Sequence, residues 1–260
     1  MKNLQATYLL FWFLGGLLLL FVIAPLLGIF LHTSPVDLFS TVKEQEVAAS
    51  IWLTLWTAMA ATLIFAIAAI PFAWILARKR FLFRNWVLAL IDIPIVIPHT
   101  AAGIALLGVV SRNTAVGKIA DSLGFSFIGN PAGIIIAMAF VSLPFLLNAA
   151  RNGFEAVPEH LEKTALSLGA SPLRVFFTIS LPIAWKSVLS GLIMMWARGM
   201  SEFGAVVILA YHPMVAPVMI YERFGAFGLS YARPVAALLI IICLIVFFIL
   251  RYISTNNRNA

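Results

Sequence analysis

The chain has 260 residues, of which 63% are hydrophobic and 10% are charged. A soluble domain carries about 25% charged residues, so this balance excludes a soluble globular enzyme, a disordered tail and a disulfide scaffold, and leaves a chain whose main solvent is lipid. The net charge of +7 is not gathered into a basic stripe, which excludes a nucleic-acid surface.

A helix needs about 20 mostly apolar residues to cross a bilayer core of about 30 Å. Six stretches meet that length, at 8–31, 51–77, 86–110, 132–150, 183–211 and 234–250. The first is too long for the apolar core of a signal peptide, and no small-x-small cleavage site follows it. It reads as a retained helix. The second apolar run begins at Val47, early enough to add an interfacial turn before the span. Arg78, Lys79, Arg80 and Arg84 follow it and mark a cytoplasmic loop.

The third stretch holds one acid, Asp92, and two prolines four apart, Pro94 and Pro98. Each proline removes an intrahelical hydrogen bond, so a kink or break is predicted. Irregular backbone at membrane depth persists only inside protein or along a watery cavity. Asp92, Pro94, Pro98, His99 and Thr100 are therefore pathway or gate candidates. The competing reading is a kinked packing helix with His99 bonded locally. Asp92 lies about two helical turns from Arg84 and is expected to pair with a basic loop residue. Gly129 and Gly133 match GxxxG at the start of the fourth span, a pattern that permits close helix approach in a dimer.

The polar loop 151–182 is the longest amphipathic stretch. Pro158 opens a helix. Glu159 and Glu162 fall in its first turn, where acids suit the positive dipole end. Leu161, Ala165 and Leu168 share one apolar face, and Gly169 is its stop. Ser171 and Pro172 begin a second short helix through Phe177, and Leu181-Pro182 close the loop as the next span begins. Spacing alone fits either a protruding knob or an ordinary interfacial helix. The fifth span then carries Arg198 and Glu202, four apart and able to meet on one face. Ser187, Gly191, Met194, Ser201 and Ala205 lie on that face too, a small and polar stripe that suits a dimer seam or a pore lining. An ionised side chain within a span costs at least about 2.5 kcal/mol, which argues for burial with a partner. A structural ion pair, contact with a passing anion, and gating all remain open for Arg198, Ser201 and Glu202.

With the N-terminus inside, Lys2, Arg78, Lys79, Arg80, Arg84, Arg151, Lys163, Arg174, Lys186, Arg251 and Arg258 fall on the cytoplasmic side. Lys43, Arg112, Lys118, Arg223 and Arg233 fall outside. This bias predicts a multi-pass protein of the cell membrane with both termini cytoplasmic. The sequence holds no P-loop, no H-E-x-x-H, no C-x-x-C and no G-x-S-x-G. Catalytic residues and a metal site are therefore not expected.

The loop resembles the cytoplasmic motif of ABC-importer permeases, E-A-A, three residues, Gly, nine residues, I-x-L-P. Ala165, Gly169, Ile179, Leu181 and Pro182 fall on that pattern. Lys163 and Thr164 occupy its first two positions, and Glu162 stands one residue early. The segments 91–107, 167–182 and 195–224 resemble the molybdate/tungstate permeases. The core of Ala197, Arg198, Glu202, Phe203 and Gly204 is also similar to sulfate permeases. The resemblance implies an all-α integral membrane fold of the type I ABC importer permease kind, with six transmembrane helices, one domain over 1–260 and a coupling-helix loop. It implies a homodimer that binds two ATP-binding subunits, which supply ATP and magnesium, and that receives molybdate or tungstate from an external binding protein. Glu159, Glu162, Ala165, Gly169, Ser171, Pro172, Leu181 and Pro182 would form the ATPase-coupling segment. The alternatives are a sulfate or thiosulfate permease and, more remotely, an ATP-independent channel or membrane enzyme.

Overall fold

A computed structural model describes the backbone of residues 2–256 and the side chains of residues 7–248. The predicted inside charges Lys2, Arg251 and Arg258 have side chains outside those residues. Among the described residues there is no strand. The helices in chain order are α1 (Lys2–Leu31), α2 (Pro35–Lys43), α3 (Gln45–Arg78), α4 (Arg84–Val96), α5 (His99–Val110), α6 (Ala115–Ser122) and α7 (Pro131–Glu155). They continue with α8 (Glu159–Ser167), α9 (Pro172–Val175), α10 (Leu181–Met200), α11 (Gly204–Leu209), α12 (Ala216–Phe227) and α13 (Leu229–Asn256).

Helices α3, α7 and α10 form the centre. Small residues let them close up, as expected where lipid tails give no hydrophobic drive for helix association. Gly191 of α10 faces Leu146 and Ala149 of α7, and Gly153 of α7 faces Ser187. Gly199 sits against Ala58 of α3 and Met138 of α7. The predicted stripe at Ser187 and Gly191 is thus spent on packing within the chain. Gly133 is also internal: a Cβ there would stand 2.0 Å from the Phe127 carbonyl oxygen. Gly129 precedes α7 in a left-handed turn with φ of 65°. The GxxxG match is therefore a turn and an intrachain contact, not a helix seam.

Among the described residues, five helices are long and apolar enough to cross a membrane: Thr7–Leu31, Gln45–Arg78, Pro131–Glu155, Pro172–Met200 and Leu229–Phe248. The predicted third span is instead a broken pair, α4 and α5, bent by 115°. Pro94 is accommodated within α4, whereas Pro98 makes the break. Ile97 before Pro98 is extended, as the proline ring requires of its predecessor. The predicted fifth span, 183–211, also breaks. Helix α10 ends at Met200, and α11 restarts at Gly204. Helix α11 packs on α5, with Gly103 against Ile208 and Ala205, and Gly204 against His99 and Thr100.

Polar connections gather at two ends. At one end Arg84 bonds Glu155 at 2.8 Å and the Leu76 carbonyl at 2.9 Å. At the other, Arg223 pairs with Glu44, and Arg233 donates to the His32 carbonyl at 2.7 Å. The short helices α2, α6 and α12 fall in segments that the sequence reading left without structure.

Candidate functional site

The loop at the end of α7 folds into two short helices. Helix α8 stops in a two-bond C-terminal cap, in which Gly169 N–H donates to the Leu166 carbonyl and Ala170 N–H to the Ala165 carbonyl, each at 3.0 Å. Gly169 takes φ of 85°, which L-residues with a side chain adopt at a cost. Ser171 Oγ accepts the Arg174 N–H at 3.3 Å, and Pro172 follows at the first helical position. The second short helix does not end at Phe177. It continues through one π turn, Phe176–Ser180, into α10. Pro182 lacks an N–H and its ring would crowd the Thr178 carbonyl in a regular α-helix, and the wider turn relieves both problems. Leu181 and Pro182 are therefore inside a continuous helix from Pro172 to Met200.

Glu162 faces inward and is only 6% exposed. Arg78 grips it at two points, with Nε 2.7 Å from one oxygen and Nη2 2.9 Å from the other. Ser180 Oγ donates at 2.6 Å and Trp74 Nε1 at 3.4 Å. Arg78 Nη2 also donates to the Val157 carbonyl at 3.0 Å. Burial by itself raises the pKa of this carboxyl; the bonds from Arg78, Ser180 and Trp74 outweigh that effect and hold it below its ordinary value of 4.5. Glu162 thus clamps α8 to α3 and to the π turn. Beneath the clamp, Trp74 meets Phe176 edge-on at 5.4 Å, and Phe154 lies 5.9 Å from Phe176. Glu159 differs: it is exposed and pairs with Lys163 at 2.7 Å, and that bond lowers its carboxyl pKa. Leu161, Leu166, Leu168 and Leu173 are exposed, Leu168 at 83%. A rigid root and an uncovered apolar tip describe this segment.

Replacing Gly169 by valine is expected to weaken the turn with no steric clash, because a Cβ there meets nothing within 4 Å. The cost is the left-handed backbone, about 1–2 kcal/mol. In the ATP-driven importer that the resemblance implies, uptake per ATP should fall for Gly169→Val and be largely kept for Gly169→Asn, since Asn tolerates that backbone. Normal ATP-driven uptake by the valine variant would contradict the role of the turn.

At the far end of α10, about 25 Å along its axis from Leu181, the two helix breaks meet. Glu202 lies in the turn after α10 and is fully buried. Its Oε1 accepts the Ala205 N–H at 2.9 Å and so caps α11. Its Oε2 lies 3.2 Å from Arg198 Nη2 and 3.2 Å from His99 Nδ1. Arg198 Nη2 also approaches the His99 ring nitrogens at 2.9 and 3.0 Å, and Nη1 donates to Ser201 Oγ at 3.2 Å. Pro98, His99, Thr100, Arg198 and Ser201 line an open cavity of about 450 Å³. Five of the eight predicted pathway residues share one cavity wall, with Glu202 beneath it. Asp92 and Pro94 do not join them. Asp92 accepts a 2.7 Å bond from Asn148 Nδ2 of α7 rather than pairing with a basic loop residue. The basic candidate Arg84 is taken by Glu155.

Sequence reasoning missed Arg78, Trp74, Ser180 and Asn148 as partners. A basic residue at a span end and an acid in the neighbouring loop were the only available signal for the first.

Residues 69–258 match the family described as binding-protein-dependent transport system inner membrane component. The chain belongs to this family. It is 44% identical over 250 residues, 95% of each chain, to a molybdate/tungstate transport system permease protein of Pyrococcus furiosus. It is 31% identical to a probable sulfate transport system permease protein of Zygnema circumcarinatum, over 94% of this chain and 86% of that one. The fold is similar to that of a bacterial alginate ABC transporter solved in complex with a pentasaccharide-bound periplasmic protein. The TM-score is 0.74 at 16% identity, over 97% of this chain and 96% of that one. The chain is therefore a multi-pass permease component of an ABC transport system, a transport subunit rather than an enzyme.

Proposed function

We propose that the chain is the membrane-spanning permease subunit of an ATP-driven importer of molybdate or tungstate. The observation that carries this reading is the 44% identity, over 95% of both chains, to a permease named for those anions. The subunit works as a homodimer forming one transmembrane domain per chain, with two ATP-binding subunits docked on 151–182 and an external protein delivering the anion. Both termini and the coupling segment face the cytoplasm. ATP binding closes the two ATPases and draws the coupling helices together. Because Glu162 fixes α8 to α3, and the π turn makes α9 continuous with α10, that movement passes directly into the central helices. The cavity then opens outward, receives the anion, and returns inward after hydrolysis. Pro98, His99, Thr100, Arg198 and Ser201 line the pathway and Glu202 braces it, whereas Asp92 and Pro94 support α4 behind it.

Purification in mild detergent with the companion ATPase tests the docking step. Stoichiometric recovery of the ATPase is expected, with loss of recovery when Leu168 and Leu173 are both changed to Asp. Recovery of no ATPase with the intact chain would refute the coupling role. A sulfate permease is the second reading, favoured by the 31% identical relative. Competition between sulfate, molybdate and tungstate for uptake separates the two.

A further inference from the structure

The buried charge cluster also points to what its cavity holds. Glu202 is wholly buried and tied down, since one oxygen caps Ala205 at 2.9 Å. The other lies 3.2 Å from both Arg198 and His99, yet it receives no hydrogen bond. Arg198 Nη2 turns instead to the His99 ring nitrogens at 2.9 and 3.0 Å, and Nη1 donates to Ser201 Oγ at 3.2 Å. Both side chains reach the cavity, Arg198 at 22% and His99 at 35% exposure. The first turn of α5 opens on the same space through His99 and Thr100, and no side chain caps it. The N-terminal end of that helix adds its positive dipole to the wall. The Arg198 guanidinium and the His99 ring thus border the cavity, while Glu202 is fixed beneath them by its bond to Ala205. An arginine half-compensated from below suits transit, where binding must admit an ion and also release it.

We propose that this cavity is a transit site for a tetrahedral oxyanion. Arg198 and His99 meet the anion, and Glu202 keeps the hold weak. The proposal rests on the import function above and adds to it a place where the cargo pauses.

The test uses the purified permease–ATPase complex without the external binding protein and radiolabelled tungstate as the probe, with equilibrium dialysis reading tungstate retained per permease chain. Glu202→Gln keeps the side-chain shape and an acceptor for Ala205 but removes the negative charge. Retention should rise about tenfold, and uptake should slow because release slows. Arg198→Gln combined with Glu202→Gln removes both charges together, so no lone buried acid remains. Retention should then fall to background. Recovery of the ATPase with each variant reports assembly. Wild-type retention in both variants would overturn the transit site. Uptake into proteoliposomes, with the external binding protein and ATP supplied, is followed in parallel. Wild-type uptake with unaltered variant retention sinks the transit site alone; no tungstate uptake by the wild-type complex sinks the import function and the transit site with it.

Discussion

Replacing Arg78 with methionine is expected to separate ATP hydrolysis from uptake. The Arg78–Glu162 pair is nearly enclosed, with side-chain exposures of 10% and 8%. Removing one partner leaves a buried carboxylate alone, at a cost of about 3 kcal/mol. That penalty falls where α8 is held to α3, so the coupling segment should loosen before the spans do. Tungstate moved per ATP hydrolysed should fall several-fold, and the melting temperature of the complex should drop. Arg78→Lys retains the charge but loses the two-point grip and should fall between. The clamp is also expected to be acid-labile. The Glu162 carboxyl is held below its ordinary value of 4.5 in the folded chain. Its contribution is therefore complete above pH 4.5 and is lost as pH falls through the lower folded value. The melting difference between wild type and Glu162→Gln should shrink in that acid range. A constant difference down to pH 3 would contradict the clamp.

Valine at Gly204 is expected to abolish uptake while leaving the ATPase bound. A Cβ at this position would stand 2.8 Å from His99 Cβ and 3.0 Å from the Thr100 nitrogen. Both neighbours belong to the first turn of α5, so the helix itself must move. Overpacking of this kind costs about 1–3 kcal/mol, and it acts where α5 and α11 form the cavity wall. The coupling segment lies about 25 Å away along α10, so ATPase recovery should match wild type. Near-normal uptake by Gly204→Val would show that the close approach of α5 and α11 has no part in transport.

Local physics made several elements legible in the sequence. Gly169 was readable as a helix stop because few other residues take its backbone, and Pro98 marked a break because a proline lacks the needed N–H. Of the two prolines only Pro98 marks the break; Pro94 lies buried inside α4. Distant pairings were not legible. Arg78 and Glu162 are 84 residues apart, and His99 and Arg198 are 99 apart. No periodicity links such residues; the return of α8 to the end of α3 and the packing of α11 on α5 bring them together. Glu162 is the clearest case. In the sequence it is one of two acids suited to a helix start, and both fit an exposed dock. In the structure only Glu159 is exposed, and Glu162 turns inward because Arg78 and Ser180 offer it bonds. The π turn was equally hidden. Leu181-Pro182 reads as a boundary, whereas a single widened turn carries the helix through it.

The most direct measurement of the central claim is anion uptake by the complete importer in proteoliposomes, with the external binding protein supplied on one side and ATP on the other. The account predicts that tungstate and molybdate accumulate only when ATP is hydrolysed, that each competes with the other, and that sulfate competes weakly. Accumulation that proceeds without ATP, or sulfate uptake that neither metal oxyanion reduces, would contradict it.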